Sequence, residues 1–114
     1  MAQLLHLADP ADWAEAQQVG SYDRSTRGAS LAEVGYVHCS YAHQVEAVAA
    51  RVYGDWDGEL LLLRIDPEQV GVEVVEEDLE GVGDLFPHVY GPIETAAVTS
   101  AEQMVRREGV WRLP

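Results

Sequence analysis

The chain has 114 residues, with seven arginines, no lysine and twenty acidic residues, for a formal net charge of −13. That charge repels phosphate backbones and anionic bilayers, which excludes a sequence-independent grip on nucleic acid or on a membrane surface. The length and the 47% apolar fraction fit one globular domain, residues 1–114.

Cys39 is the single cysteine, which excludes an intramolecular disulfide framework and a cysteine-rich zinc site. The N-terminus has no basic segment, and the longest apolar run, Leu60 to Leu63, is far below a membrane span. The expected location is therefore the cytoplasm.

In chain order, residues 3–8 (QLLHLA) read as a strand. A helix over 10–19 follows, with Asp9 as N-cap, Pro10 at the first position and Gly20 at the end. Residues 20–30 are loop-like. Leu31 to Val34 fit one helical turn, and Tyr36 to Cys39 a short strand. Ser40 is the expected cap of the next helix, whose Val45, Val48, Ala49 and Val52 recur at i, i+3, i+4 and i+7. That helix ends near Tyr53.

ELLLLRID (59–66) reads as a central strand, because its apolar run is continuous and bounded by turn signals. Pro67 to Gly71 suggests a turn or a single helical loop. VEVVEE (72–77) alternates as a half-buried strand does. Residues 78–84 read as an acidic loop, and FPHVYGP (86–92) as irregular and rigid. Ile93 to Thr99 reads as a strand, Ala101 to Arg107 as one helical turn, and Gly109 to Leu113 as an edge strand. The order is α+β, with helices early and strands late.

Three of the four histidines, His6, His38 and His88, lie inside apolar or aromatic segments, where ring nitrogens need partners. By strand alternation, Tyr36, His38 and Ser40 share one unusually polar face, and adjacent first strands would bring His6 and His38 to one cleft. The bland reading is a set of satisfied structural histidines. A zinc centre is a rival reading, but spacings of 32 and 50 residues match no local ligand motif. Cys39 points away from His38 in a strand, so a buried small hydrophobe outweighs a thiol nucleophile. No glycine-rich phosphate loop occurs. Arg24 and Arg27 are the anion candidates. In the acidic stretch, Glu76 is the candidate catalytic carboxylate, because it ends a strand near FPHVYG.

With YVHCS, Gln44, LLLLRID, VVEED, FPHVYGPIETAAV and a terminal G-x-W-x-L-P, the chain resembles domain-of-unknown-function family 952 over nearly its whole length. Val75 stands where that family often has tryptophan. The family in turn resembles the ADP-ribosyltransferase superfamily. The layout of His6, Trp13 and His38 is similar to RNA 2′-phosphotransferases of the Tpt type. This likeness implies an ADP-ribosyltransferase-like fold of two small, mostly antiparallel sheets that form a cleft, with two helices early in the chain.

The resemblance also implies NAD bound as substrate in that cleft, with His6 near the ribose, His38 or Tyr36 near the nicotinamide, and Glu76 or Glu94 as the carboxylate. Taken with the reading of the residues, the expected catalytic set is His6, His38, His88 and Glu76, with no metal. Tyr36, Ser40, Gln44, Tyr90 and Arg27 are the expected contacts to the nucleotide. The chain lacks the basic elements by which the phosphotransferases hold RNA, so the expected partner is a small molecule or nucleotide. The alternatives are a non-catalytic small-molecule-binding module and a histidine-liganded metal-dependent hydrolase.

Overall fold

In a computed structural model, which describes residues 2–114, LLHLA forms strand β1 (Leu4–Ala8) with all five side chains buried. Asp9 starts helix α1 (Pro10–Val19) by accepting a hydrogen bond from the Ala11 amide at 2.9 Å. Gly20 closes that helix at φ +93°, a conformation costly to any residue with a Cβ, and its N–H reaches the Ala16 carbonyl. The expected helix has the expected bounds. After β2 (Ser21–Tyr22), a reciprocal Ser30–Glu33 capping box starts the short α2 (Leu31–Val34). Strand β3 (Val37–His38) and helix α3 (Ala42–Tyr53) complete the first half.

Ser40 does not cap α3. Its backbone N–H and C=O both bond to Leu5 (2.7 and 2.8 Å), so it belongs to a bridge between strands. Tyr41 takes the N-cap position, and its amide donates to the Gln44 side chain at 2.9 Å.

Strand β4 (Leu61–Ile65) lies between β1 and β8 (Val98–Gln103), so the apolar run is indeed central. Both pairings are antiparallel; His6 faces Leu63, which faces Ala101. A second three-stranded sheet has the order β3-β6-β5, from β5 (Val74–Glu77) and β6 (Phe86–Val89). Two short antiparallel ladders join β2 to β7 (Ile93–Glu94) and β9 (Val105–Arg107) to β10 (Val110–Arg112). Among the described residues the architecture is α+β, with three helices before residue 54 and four small antiparallel sheets.

The later half corrects three expectations. FPHV is a buried central strand rather than irregular chain. Pro87 is tolerated because its carbonyl accepts from the Cys39 amide at 3.0 Å while the β3–β6 ladder stops at the His38–His88 pair. A proline can make only half of the two-bond exchange expected there. Residues 101–107 are extended, not helical: Ala101 to Gln103 complete β8, and sheet pairing with β4 overrides the helix preference of Ala, Glu and Gln. The segment 93–99 is not one strand. A 3₁₀ turn at Thr95–Ala97 divides it where the chain leaves β2 for β4.

Within the β1-β4-β8 sheet, β1 and most of β4 are covered on both faces, while β8 alternates with exposed positions. Leu4, Ala8, Leu63 and Ile65 pack with Tyr22, Val37, Cys39 and Ile93. Leu5, Leu7, Leu60 and Leu62 pack with Val45, Val48, Phe86 and Trp111. Cys39 is fully buried, and burial pushes its thiol up to about 12, so it is part of the core. Leu63 is fully buried at the middle of β4. Leu63→Ala is expected to lower stability by about 2–5 kcal/mol, read as a lower urea midpoint with an unchanged slope.

Candidate functional site

The two three-stranded sheets meet at the Leu5–Ser40 bridge, and three histidines gather beside it. His6 lies on β1 with its Nδ1–H donating to the His38 carbonyl at 2.7 Å. A carbonyl only accepts, so this bond fixes the tautomer; Nε2 then accepts from the Tyr22 hydroxyl at 2.9 Å. Burial drives the His6 pKa down to about 4, partly opposed by the His38 carbonyl. Both ring nitrogens are therefore engaged, and the ring is neutral near pH 7. Burial also raises the Tyr22 hydroxyl, which stays protonated as the donor.

His6, His38 and Ser40, with Leu7, Thr26, Val48 and Tyr53, line a crevice of about 10 Å³ at the junction. That is room for about one water molecule. A larger hollow of about 360 Å³ lies between α1 and β2 and is lined by Asp12, Glu15, Asp23 and Arg24, with none of the histidines.

His38 also belongs to a second constellation, on one face of the β3-β6-β5 sheet. It is paired in register with His88, their rings 5.2 Å apart. Alternation adds Tyr36, Phe86, Tyr90 and Glu77 to the same face. Tyr36 stacks on His88 at 4.0 Å and 16°. One Glu77 oxygen accepts from His88 Nδ1–H at 2.9 Å and from the Tyr90 hydroxyl. These two hydrogen bonds, Tyr90's first, hold the Glu77 carboxyl below its usual range, and the same contact pushes Tyr90 up to about 12. Glu80 reaches over from the 78–84 loop, with one oxygen 3.8 Å from His38 Nε2 and the other 3.4 Å from Arg51. Burial, then the neighbouring His88, lowers His38 to about 4.

Two buried side-chain atoms among the described residues lack any hydrogen-bond partner: Nε2 of His38 and Nε2 of His88. The residues are 8% and 1% exposed. Such orphans are uncommon in folded proteins and call for an explanation.

The remaining sequence-expected residues fall in several places. Tyr36 and Tyr90 stand on the histidine face, and Ser40 lines the crevice. Glu76 is exposed on the opposite face, near Tyr41, and Glu77 is the carboxylate beside His88. The alternation in VEVVEE held that signal, because Val75 faces His88 in register and Glu77 has the same parity. Gln44 is a clamp: its side-chain amide donates to Asp84 and to the Leu85 carbonyl, which ties α3 to the acidic loop. Arg27 is bound to Asp55 and the Val52 carbonyl, beside Tyr53 and Trp56. Glu94 is exposed on the β2–β7 ladder, facing Ser21. Sequence patterns did not single out Tyr22, Arg51 or Glu80, whose roles depend on contacts between distant segments.

No three His, Cys, Asp or Glu side chains among the described residues are grouped to hold a metal ion. Nor is any described helix long and apolar enough to cross a membrane.

Fold and site together define a small α+β protein built on a histidine-bearing antiparallel sheet. The chain belongs to the family described as protein of unknown function DUF952, which it matches over residues 7–101. Its fold is similar to that of the Caulobacter crescentus protein CC0527. The crystal structure of that protein matches with a TM-score of 0.81 and 26% identity, covering 98% of this chain and 95% of the other. The solution structure of CC0527 matches with a TM-score of 0.69 and 23% identity, covering 97% and 91%. No curated protein matches the sequence.

Two outcomes follow for the buried histidines. Tyr22→Phe removes the partner of His6 Nε2 and is expected to cost about 1–3 kcal/mol in denaturant unfolding. His6 and His38 have folded pKa values below their unfolded ones, so the unfolded chain binds more protons as the pH falls below about 6.5. Stability should therefore decline from pH 6.5 toward 4, by up to about 1.4 kcal/mol per pH unit for each histidine. Glu77 and Glu102, whose pKa values are lowered, lose their contribution as the pH falls through the ordinary carboxylate range, so the decline between pH 6.5 and about 5.5 belongs to the histidines. A flat profile there would contradict neutral burial.

Proposed function

We propose that this protein is ADP-ribosyltransferase-like and binds NAD or a related nucleotide at the His38–His88 face of its β3-β6-β5 sheet, beside the junction of its two three-stranded sheets, transferring ADP-ribose from it. The observation that carries the reading is the pair of buried, partnerless Nε2 atoms on His38 and His88, beside the stacked ring of Tyr36. With His88 Nδ1–H directed at Glu77, a neutral His88 presents a lone pair at Nε2. A ribose hydroxyl or a carboxamide N–H supplies the missing donor. The Tyr36–His88 stack has the spacing of two planar rings, so a ligand ring can exchange with Tyr36 on the imidazole face. Breaking the nicotinamide–ribose bond develops positive charge on the ribose, and Glu77 and Glu80 are the carboxylates near enough to this face to steady it.

The second reading is a non-catalytic small-molecule-binding module in the same place. The state of Glu77 favours it, because two hydrogen bonds hold its oxygen and lower its basicity, which makes it a weak general base. Long incubation with NAD separates the two readings: the transferase releases nicotinamide and the module does not.

Isothermal titration with NAD tests both. Absence of binding at about 1 mM NAD, with the protein folded, would end the nucleotide reading. His88→Phe keeps a ring against Tyr36 and removes both nitrogens. It is expected to weaken binding by about tenfold or more without lowering the melting temperature, since it also removes an unpaired buried nitrogen.

A further inference from the structure

The charges around the histidine pair bear on which part of a nucleotide it can hold. Glu77 contributes from β5 and Glu80 from the 78–84 loop, and Glu73 lies close enough to act on Tyr90. Against these three carboxylates stands Arg51 of α3, whose guanidinium is already paired with Glu80 and lies 5.9 Å over the Phe86 ring. Other arginines are engaged elsewhere: Arg24 with Asp12, Arg27 with Asp55, Arg64 with Glu102 and Arg112 with Glu46. A phosphate brought to this face would meet carboxylates and the lone pair of His88 Nε2, with no unengaged cation beside it. Phosphate sites need the reverse, N–H donors and positive charge.

We infer that the site selects the donor-bearing ring and ribose of a nucleoside, cationic in preference to neutral, and leaves any phosphate in solvent, with Glu80 setting that preference. The inference rests on the nucleotide reading above and narrows it. A ribose diol offers two O–H donors, and a pyridinium carboxamide offers two N–H donors and a positive ring. Both can donate to the lone pair at His88 Nε2, beside the partnerless Nε2 of His38, and the positive ring also complements the aromatic face of Tyr36. Glu80 holds the position between His38 and Arg51, so it both attracts a cationic ring and occupies the one nearby guanidinium.

The test titrates wild-type protein and Glu80→Gln with nicotinamide riboside, NAD and ADP-ribose at low salt. Glu80 has a half-exposed side chain, so the variant keeps the core intact. In the wild type, nicotinamide riboside should bind about tenfold or more tightly than ADP-ribose. Raising the salt to about 0.5 M should narrow that gap. Glu80→Gln should narrow it by about threefold or more, because the cation loses its carboxylate while Arg51 becomes available to phosphate. If NAD and ADP-ribose bind but the riboside binds no better than ADP-ribose, the nucleotide reading stands and this inference falls. The same holds if Glu80→Gln leaves the ratio unchanged. If none of the three ligands binds folded protein, both fall.

Discussion

Two backbone hydrogen bonds between Leu5 and Ser40 hold the two main sheets together, and the meeting of His6 with His38 depends on them. The chain reaches that bridge because β3 cannot go on pairing with β6. Pro87 has no N–H to return to Cys39, so the β3–β6 ladder ends after two residues and Ser40 turns to the free edge of β1. His6 then stands one residue along β1 from the junction, where its Nδ1–H takes the His38 carbonyl. A proline in a central strand, which by itself suggests irregular chain, is here the reason that the sheet is split. The split in turn lets His38 serve two neighbourhoods, the crevice with His6 and Ser40 and the sheet face with His88.

What could be read in the sequence follows the range of the interactions. Asp9 with Pro10, Ser30 with Glu33, and Gly20 act within one helical turn, so α1 and α2 were legible from adjacent residues. The Leu-rich strand was legible because a continuous apolar run must be covered on both faces. The second half depends on pairings across the chain. Ala101 to Gln103 carry helix-favouring side chains, and only the open edge of β4, about forty residues away in sequence, makes them extended. The site divides in the same way. Tyr36, His38 and Ser40 were legible as one polar face by alternation. The choice between Glu76 and Glu77 needed the register of β5 against β6, which a single strand does not contain. Gln44 sits in a motif-bearing segment, yet the contacts that define it, to Asp84 and Leu85, are forty residues away and make it a structural clamp.

The acidity also takes on a local meaning. Spread over the surface, a charge of −13 speaks only against polyanions as partners. In the fold, most of the arginines are each bound to a carboxylate, so positive charge is consumed within the molecule. Arg27, the natural anion candidate beside a polar loop, instead braces that loop against α3, where the Arg27 amide also donates to the Tyr53 hydroxyl at 2.8 Å. An arginine in this chain is more informative as part of a pair than as a free charge, and Arg51 with Glu80 is the pair that touches the histidines.

His6 and the pair on the sheet face differ in a way that separates structure from function. His6 is buried with both nitrogens bonded, and a fully bonded polar group costs little in a core. His38 and His88 are buried among Phe86, Tyr36 and the strands of their own sheet, each with one nitrogen left bare. Each bare nitrogen costs about 1–3 kcal/mol relative to a bonded one, and an apolar ring at either place would avoid that cost. Neither histidine is needed to hold the sheet, because the β3–β6 ladder is made by backbone groups and Glu77 would keep its bond from Tyr90 without His88. The fold therefore carries a cost at two facing positions that its own packing does not require. A ligand that hydrogen-bonds both nitrogens removes that cost on binding, which makes the pair a better recognition element than a structural one.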